Sequence, residues 1–227
     1  MKKFKELVNG GKSPKKRYSL KEEIFNAITH GVGIVFSIVI VTILLVYAIW
    51  KKSTLSIVAF SIYGFSSIVL YTSSTLYHSF QKIKVKAILR IFDHASIFLL
   101  IAGTYTPVVL LAMDGAWRVG MLIAVWLIAL SGIIFKILTF RKLDKYKVFS
   151  LAFYILMGWL VVIAIKPITQ SMPLGFFIWF LAGGLVYSLG TIFYSLKKIP
   201  YNHGIWHLFV LGGSVLHFVG IFRYLAL

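Results

Sequence analysis

Seven long apolar runs constrain this chain more than any other feature: Ala27–Trp50, Thr54–Tyr77, Ile91–Met113, Val119–Leu138, Val148–Ile165, Leu174–Leu196 and His203–Leu227. A helix that crosses a bilayer takes about 20 mostly apolar residues. The runs are apolar on every face, so length identifies them rather than helical period. An outer-membrane barrel would show short segments of alternating polarity instead. Of the 227 residues, 59% are hydrophobic and 13% charged, against about 25% charged in an average soluble domain. The predicted fold is all-α, a seven-transmembrane helix bundle formed by one membrane domain over residues 19–227. A basic tail over residues 1–18 precedes it. The first run, 24 residues long, exceeds a signal-peptide core and is followed by no small-residue cleavage site, so it reads as an uncleaved anchor. The expected location is the cell membrane, with multiple passes. The absence of cysteine excludes disulfides, thiolate metal ligands, iron–sulfur clusters and a thiol nucleophile.

Charge predicts the orientation. Counted over the alternating sides of seven spans, nineteen Lys and Arg fall on the N-terminal side. The other side holds five, namely Lys51, Lys52, Arg118, Lys166 and Arg223. The positive-inside rule then predicts a cytoplasmic N-terminus and an extracellular C-terminus. The net charge of +18 is accounted for by topology and by attraction of the basic loops to anionic headgroups. Membrane lipids are the expected partners and nucleic acid is not.

Polar residues inside or at the ends of membrane helices are functional candidates by default. Here they gather at one level. Glu22, Glu23, Asn26 and His30 lie near the cytoplasmic end of span one, and Ser74 and His78 near that end of span two. Asp93 and His94 open span three, and His203 and His207 open span seven. His203 and His207 are four residues apart, which puts both imidazoles on one helix face. Asn202 is the expected N-cap of that helix, with Pro200 upstream. Alone, the pair fits two interfacial histidines as well as two ligands. His78 adds a third nitrogen at the same depth, and three imidazoles with an open position are the pattern of a catalytic zinc site. Zinc lowers the pKa of bound water to about 7. Asp93 is the one carboxylate at that level from spans two to seven. It can hold that water, act as general base or be a fourth ligand. Ser74, one turn before His78, can bond the water or the substrate, or back-bond to its own helix.

His94 points about 100° away from Asp93 around the helix and is expected in packing or at the interface. His217 lies about 15 Å beyond His207 along the helix and is expected to pack rather than ligate. Ser19 and Glu22 form the S-x-x-E pattern of a capping box. Glu23, Asn26 and His30 fall on one helix stripe, as a polar network bracing the site or as an interfacial helix start. Pro107 is expected to kink span three. The small residues Gly183, Gly184, Ser188 and Gly190, and Gly212-Gly213-Ser214, permit close helix approach.

The series Glu23-x2-Asn26-x3-His30, Ser74-x3-His78, Asp93 and His203-x3-His207 resembles the motif set of the progestin and adipoQ receptor superfamily. Glu22–Gly33, Phe92–Pro107 and Asn202–Gly220 look most like its bacterial branch, the hemolysin III family. The resemblance extends from about Ser19 onward. It implies a seven-helix fold with zinc near the cytoplasmic face, His78, His203 and His207 as ligands, and Asp93 holding a water. It also implies kinship with membrane hydrolases that include ceramidases, while the bacterial branch carries a pore-forming label and a link to membrane-lipid homeostasis. Three functions follow as expectations. The first is a zinc-dependent hydrolase of a lipid amide or ester, with Asp93 and Ser74 as catalytic residues. The second is a pore-forming cytolysin, which fits less well because a secreted pore-former is water-soluble before insertion. The third is a non-catalytic lipid sensor or receptor with structural zinc.

Overall fold

The structure, a computed structural model, describes residues 18–196 and 198–227. The basic tail expected over residues 1–18 lies, apart from Tyr18, outside the described residues. Helix α1 (Leu20–Trp50) starts at Ser19, which forms the expected capping box: Glu22 N–H donates to Ser19 Oγ and Ser19 N–H to the Glu22 carboxylate. Glu23, Asn26 and His30, spaced i, i+3 and i+7, share one buried stripe of the helix. At 31 residues the helix is about 46 Å long, so its first turns reach beyond a hydrocarbon core of about 30 Å.

Short connections then give α2 (Thr54–Ser79), α3 (Ile83–Ala112) and α4 (Gly115–Leu138). Ser53 caps α2 by accepting from Ser56 N–H. Gly115 begins α4 at φ +56°, a conformation that costs glycine little and other residues more. Helix α3 runs through Pro107 to Ala112. Helix α5 (Lys147–Gly158) passes into a 3₁₀ turn (Trp159–Val162) and then α6 (Ile165–Ser171). Helix α7 (Leu174–Ser195) pairs with α8 (Asn202–Ile221), which ends in a π-helical turn, Phe222–Ala226. No strand occurs among the described residues.

Six of these helices are long and apolar enough to cross a membrane. The bent pair Lys147–Val162 and Ile165–Ser171 makes a seventh span if it counts as one. The sequence predicts a single run, Val148–Ile165; the structure bends the chain by 47° at the end of that run, between Val162 and Ile165. Pro167 explains the break, because it lacks an N–H and its ring clashes with the carbonyl four residues earlier. Tyr105 of α3 satisfies the loosened backbone: its hydroxyl donates to Gly158 O at 2.7 Å and accepts from Val161 N–H at 2.8 Å.

The start of α8 also differs from expectation. Tyr201, at φ +57°, precedes the helix and Asn202 is its first residue. The Asn202 amide donates instead to Phe193 O and Tyr194 O at the end of α7. It ties the two helices together rather than capping its own.

Aromatic side chains fill the centre, with Phe60, Tyr63, Tyr71 and Phe98 fully buried. Large aliphatics such as Val35, Ile49, Leu127 and Leu185 cover the outer faces, as a lipid-facing surface requires. Buried hydroxyls mostly bond back into their own helix: Ser37 to Gly33 O, Ser66 to Ile62 O and Ser67 to Tyr63 O. That is the usual solution where no water competes.

Candidate metal centre

The helix pattern brings the start of α1, the end of α2, the first third of α3 and the start of α8 to one end of the bundle. There His78, His203 and His207 converge. One nitrogen from each lies within 4.8 Å of the others, and all three residues are buried. The Nε2 atoms of His203 and His78 are 3.2 Å apart, as are those of His207 and His203. Ligands at 2.0–2.1 Å from a tetrahedral ion stand about 3.3 Å from one another. The spacing therefore suits a common metal ion.

The other ring nitrogens show why the Nε2 atoms of His78 and His207 face inward, while His203 Nδ1 is buried without a partner. His78 Nδ1 is 2.7 Å from Glu23 Oε2, and the Asn26 amide stands farther off at 3.5 Å. His207 Nδ1 is 3.1 Å from Asn26 O and 3.2 Å from Thr29 Oγ1. In both rings Nδ1 carries the proton and donates it outward, which leaves Nε2 as a lone pair. Oxygen acceptors of this kind commonly fix the tautomer and orientation of metal-binding imidazoles. A proton on His203 Nε2 could answer only one of its two neighbours at a time, whereas a cation between the three nitrogens answers all of them. The donor set thus fits a cation, and a buried histidine triad able to hold a metal ion is a property of this fold.

Two features hold α1 and α8 close. A Cβ on Gly204 would fall 2.2 Å from the Phe25 ring and 2.8 Å from Asn26 Oδ1. The missing side chain, between the two histidines of α8, lets that helix approach the stripe on α1. His30 supports the site without a hydrogen bond: neither ring nitrogen has a partner. Its ring stacks on His207 at 3.6 Å and 11° and meets Tyr71 edge-on. Glu23 bridges outward from His78 to Lys86 Nζ at 2.9 Å. Tyr18 stacks on His203 with centroids 5.1 Å apart.

Asp93 is buried but lies outside the group of mutually close ligand atoms. It lines the large cavity that reaches His203 and His207. This placement suits an acceptor facing the centre better than a fourth ligand. Its Oδ2 is 3.0 Å from His94 Nδ1. His94, expected away from the site, is therefore coupled to Asp93 and lines the same cavity. The two residues leave the helix about 100° apart, yet neighbouring side chains of this length can fold back onto each other. Ser74 is the exception among the buried serines of α2: its Oγ makes no back-bond and has no partner. His217 is packed as expected, stacked on Phe180 with Nε2 3.1 Å from Phe180 O.

The cavity continues from the histidines between α3, α4, α5, α7 and α8. Leu100, Ile101, Leu151, Ile155 and Val210 make its walls apolar, and Arg90, Lys136, Asp144 and Lys147 add charge. In the sequence Lys136 counts among the nineteen basic residues of the N-terminal side, at the span four–five loop end of the run Val119–Leu138. The structure buries it inside α4. The available signal was its position two residues inside the end of an apolar run.

Fold and centre together define a class: a polytopic helical membrane protein with a buried three-histidine centre at one end of its bundle. Residues 18–218 match the Haemolysin-III related family, and the chain belongs to that family. It is 46% identical to Hemolysin-3 of Bacillus cereus over 205 residues, covering 90% of this chain and 92% of the relative. It is 47% identical to the Hemolysin-3 homolog of Bacillus subtilis (strain 168) over 208 residues, covering 91% and 96%. The monocyte to macrophage differentiation factor of Homo sapiens is 32% identical over 182 residues, covering 78% of this chain and 72% of the relative.

Proposed function

We propose that this protein is a zinc-dependent hydrolase of an amide or ester bond in a membrane lipid, with its centre at the cytoplasmic face, and that it contributes to lipid homeostasis. The carrying observation is the pairing of three inward-facing imidazoles with a separate carboxylate that shares the adjoining apolar cavity. A purely structural zinc site normally has four protein ligands, whereas three and an open position favour chemistry. His78, His203 and His207 are the ligands. When bound, zinc supplies Lewis acidity at neutral pH. Three imidazoles also suit iron and copper, and elemental analysis of the purified protein separates these.

In this reading Asp93 accepts the proton of the attacking water at a carboxylate oxygen, and His94 Nδ1 holds the other oxygen in place. Ser74 Oγ, committed to no backbone carbonyl, is available to hydrogen-bond the water or the substrate. Glu23 and Asn26 O keep the ligand tautomers fixed. The cavity walls accept the acyl chain and exclude bulk water. The basic asymmetry supports an N-in, C-out orientation, which C-terminal reporter fusions test directly: a cytoplasmic C-terminus would move the centre to the outer face.

Release of acyl product from defined amide and ester lipids, normalised to bound metal, tests the function. Turnover that depends on Asp93 supports it. Metal binding without turnover in any substrate class favours a sensor with structural zinc. The Bacillus cereus relative is named a hemolysin, and dye leakage from liposomes carrying this protein, in the absence of lipid hydrolysis, would favour the pore-forming reading.

A further inference from the structure

Lys136 is the least expected side chain in the molecule. It sits in the last turn of α4, is 1% exposed, and has no carboxylate within ion-pair distance among the described residues. Its Nζ donates to Ser150 Oγ, at 2.5 Å, and lies 5.5 Å from the centre of the Tyr154 ring. Ser150 in turn donates to Tyr146 O, so its oxygen is oriented to accept from the ammonium. Tyr154 donates its hydroxyl to His94 O, which fixes the ring. An ammonium has three N–H donors, and here one neutral hydroxyl and one ring face answer them. A buried charge is costly unless it is paired and hydrogen-bonded. The same side chain lines the cavity that contains Asp93, His203 and His207. The arrangement is a built cation at an apolar cavity, held by Ser150 and Tyr154, with Asp93 on the same cavity but no carboxylate close enough to form an ion pair.

We propose that Lys136 binds the oxyanion head of an amphiphile whose chain lies along the apolar walls of this cavity. The ammonium supplies the charge-assisted hydrogen bond, and Leu100, Leu151 and Ile155 contact the chain. Arg90 and Lys147, which line the same cavity while bonded to Asp144 and to Tyr194 O respectively, raise the local positive potential. This names the ligand class for the cavity used in the hydrolase reading. It rests on that cavity and not on turnover, so binding and hydrolysis can fail separately.

The test uses the full-length, metal-loaded protein in phosphatidylcholine nanodiscs, with binding read from thermal shift. The probes are hexadecyl phosphate, hexadecanol at the same mole fractions, and inorganic phosphate. Wild type should bind hexadecyl phosphate at least about 10-fold better than hexadecanol, the scale of one charge-assisted hydrogen bond to a buried group. Lys136→Met keeps the length of the side chain and removes the charge. It should lose that preference, leave hexadecanol binding unchanged, retain full metal content and be no less stable than wild type without ligand. Lys136→Arg should restore most of the preference. A merely structural lysine would instead lower the unliganded stability of Lys136→Met and leave the preference intact. Equal preference in wild type and Lys136→Met would overturn the proposal. So would inorganic phosphate binding as tightly as hexadecyl phosphate, which would mark a free oxyanion as the ligand. Should Lys136→Met fail to fold, the wild-type comparison of phosphate with alcohol still decides: no preference overturns it.

Discussion

The two sides of the cavity are built differently. On one side α1, α2 and α8 bury a continuous polar stripe in which two ligands are held by hydrogen bonds, His78 by Glu23 and His207 by Asn26 O, and ring stacking supports His207 through His30 and His203 through Tyr18. On the other, α5 is 12 residues long, buries only Ser150 and Met157, and breaks into a 3₁₀ turn and a short bent helix. The first side is over-determined and the second is thinly supported. Geometry accurate enough for metal binding needs ligands locked by a supporting shell, while a wall that admits a bulky amphiphile needs no such rigidity. Local stability follows the density of buried contacts, so the two sides should respond differently to mutation.

The largest effects belong to the ligands. Changing His78, His203 or His207 to Ala should remove most of the bound metal, whereas His217→Ala, in the same helix as two of them, should leave metal content unchanged. Elemental analysis of purified variants decides. Full metal retention in His203→Ala would erase the distinction between the two histidine groups.

Gly204→Ala should come next. A Cβ there meets the Phe25 ring and Asn26, so α8 must shift from α1 and carry two ligands with it. Metal affinity should fall by at least about 10-fold although no ligand is touched, the cost typical of disturbing a ligand's supports. Gly120→Ala, where nothing lies within 4 Å, is the matched control.

Glu23→Gln should weaken metal binding by about 10–100-fold, because a neutral amide accepts the His78 proton less strongly. The smallest contrast is one of packing. Phe98→Ala opens a cavity in the buried core and should cost roughly 3 kcal/mol, the low end of the usual range, since lipid offers no hydrophobic penalty to an unpacked apolar group. Leu156→Ala, on the exposed face of α5, should change stability by about 0.5 kcal/mol or less. Thermal unfolding in matched nanodiscs measures both.

Much of this contrast is legible in the residues alone. Span length needs no tertiary information, because the bilayer fixes it, and the Ser19–Glu22 cap is local. The convergence of His78, His203 and His207 follows from counting spans, since alternate helix ends must meet. What escapes the sequence depends on tertiary pairing or on backbone detail. Pro167 marks the break in span five, but its effect reaches back to the carbonyl of residue 163, inside a run that reads as continuous. Asn202 has the composition of an N-cap, yet its amide serves the end of α7, because Tyr201 takes the left-handed conformation before it. His94 shows that helix-wheel angles govern backbones more strictly than side-chain tips. Lys136 counts as one of the topology-setting charges at the end of span four until the packing of α5 against α4 buries it.

The most direct test of the central claim is lipid turnover per bound metal in wild type and Asp93→Asn. The substitution keeps the size of the side chain and an oxygen acceptor but removes the negative charge and the base. Metal content should persist, since Asp93 lies outside the ligand group. Turnover per metal should fall by about 10²–10⁴-fold, the usual cost of losing a general base. Equal turnover per metal in the two proteins, or none in either across amide and ester lipids, would contradict the hydrolase account.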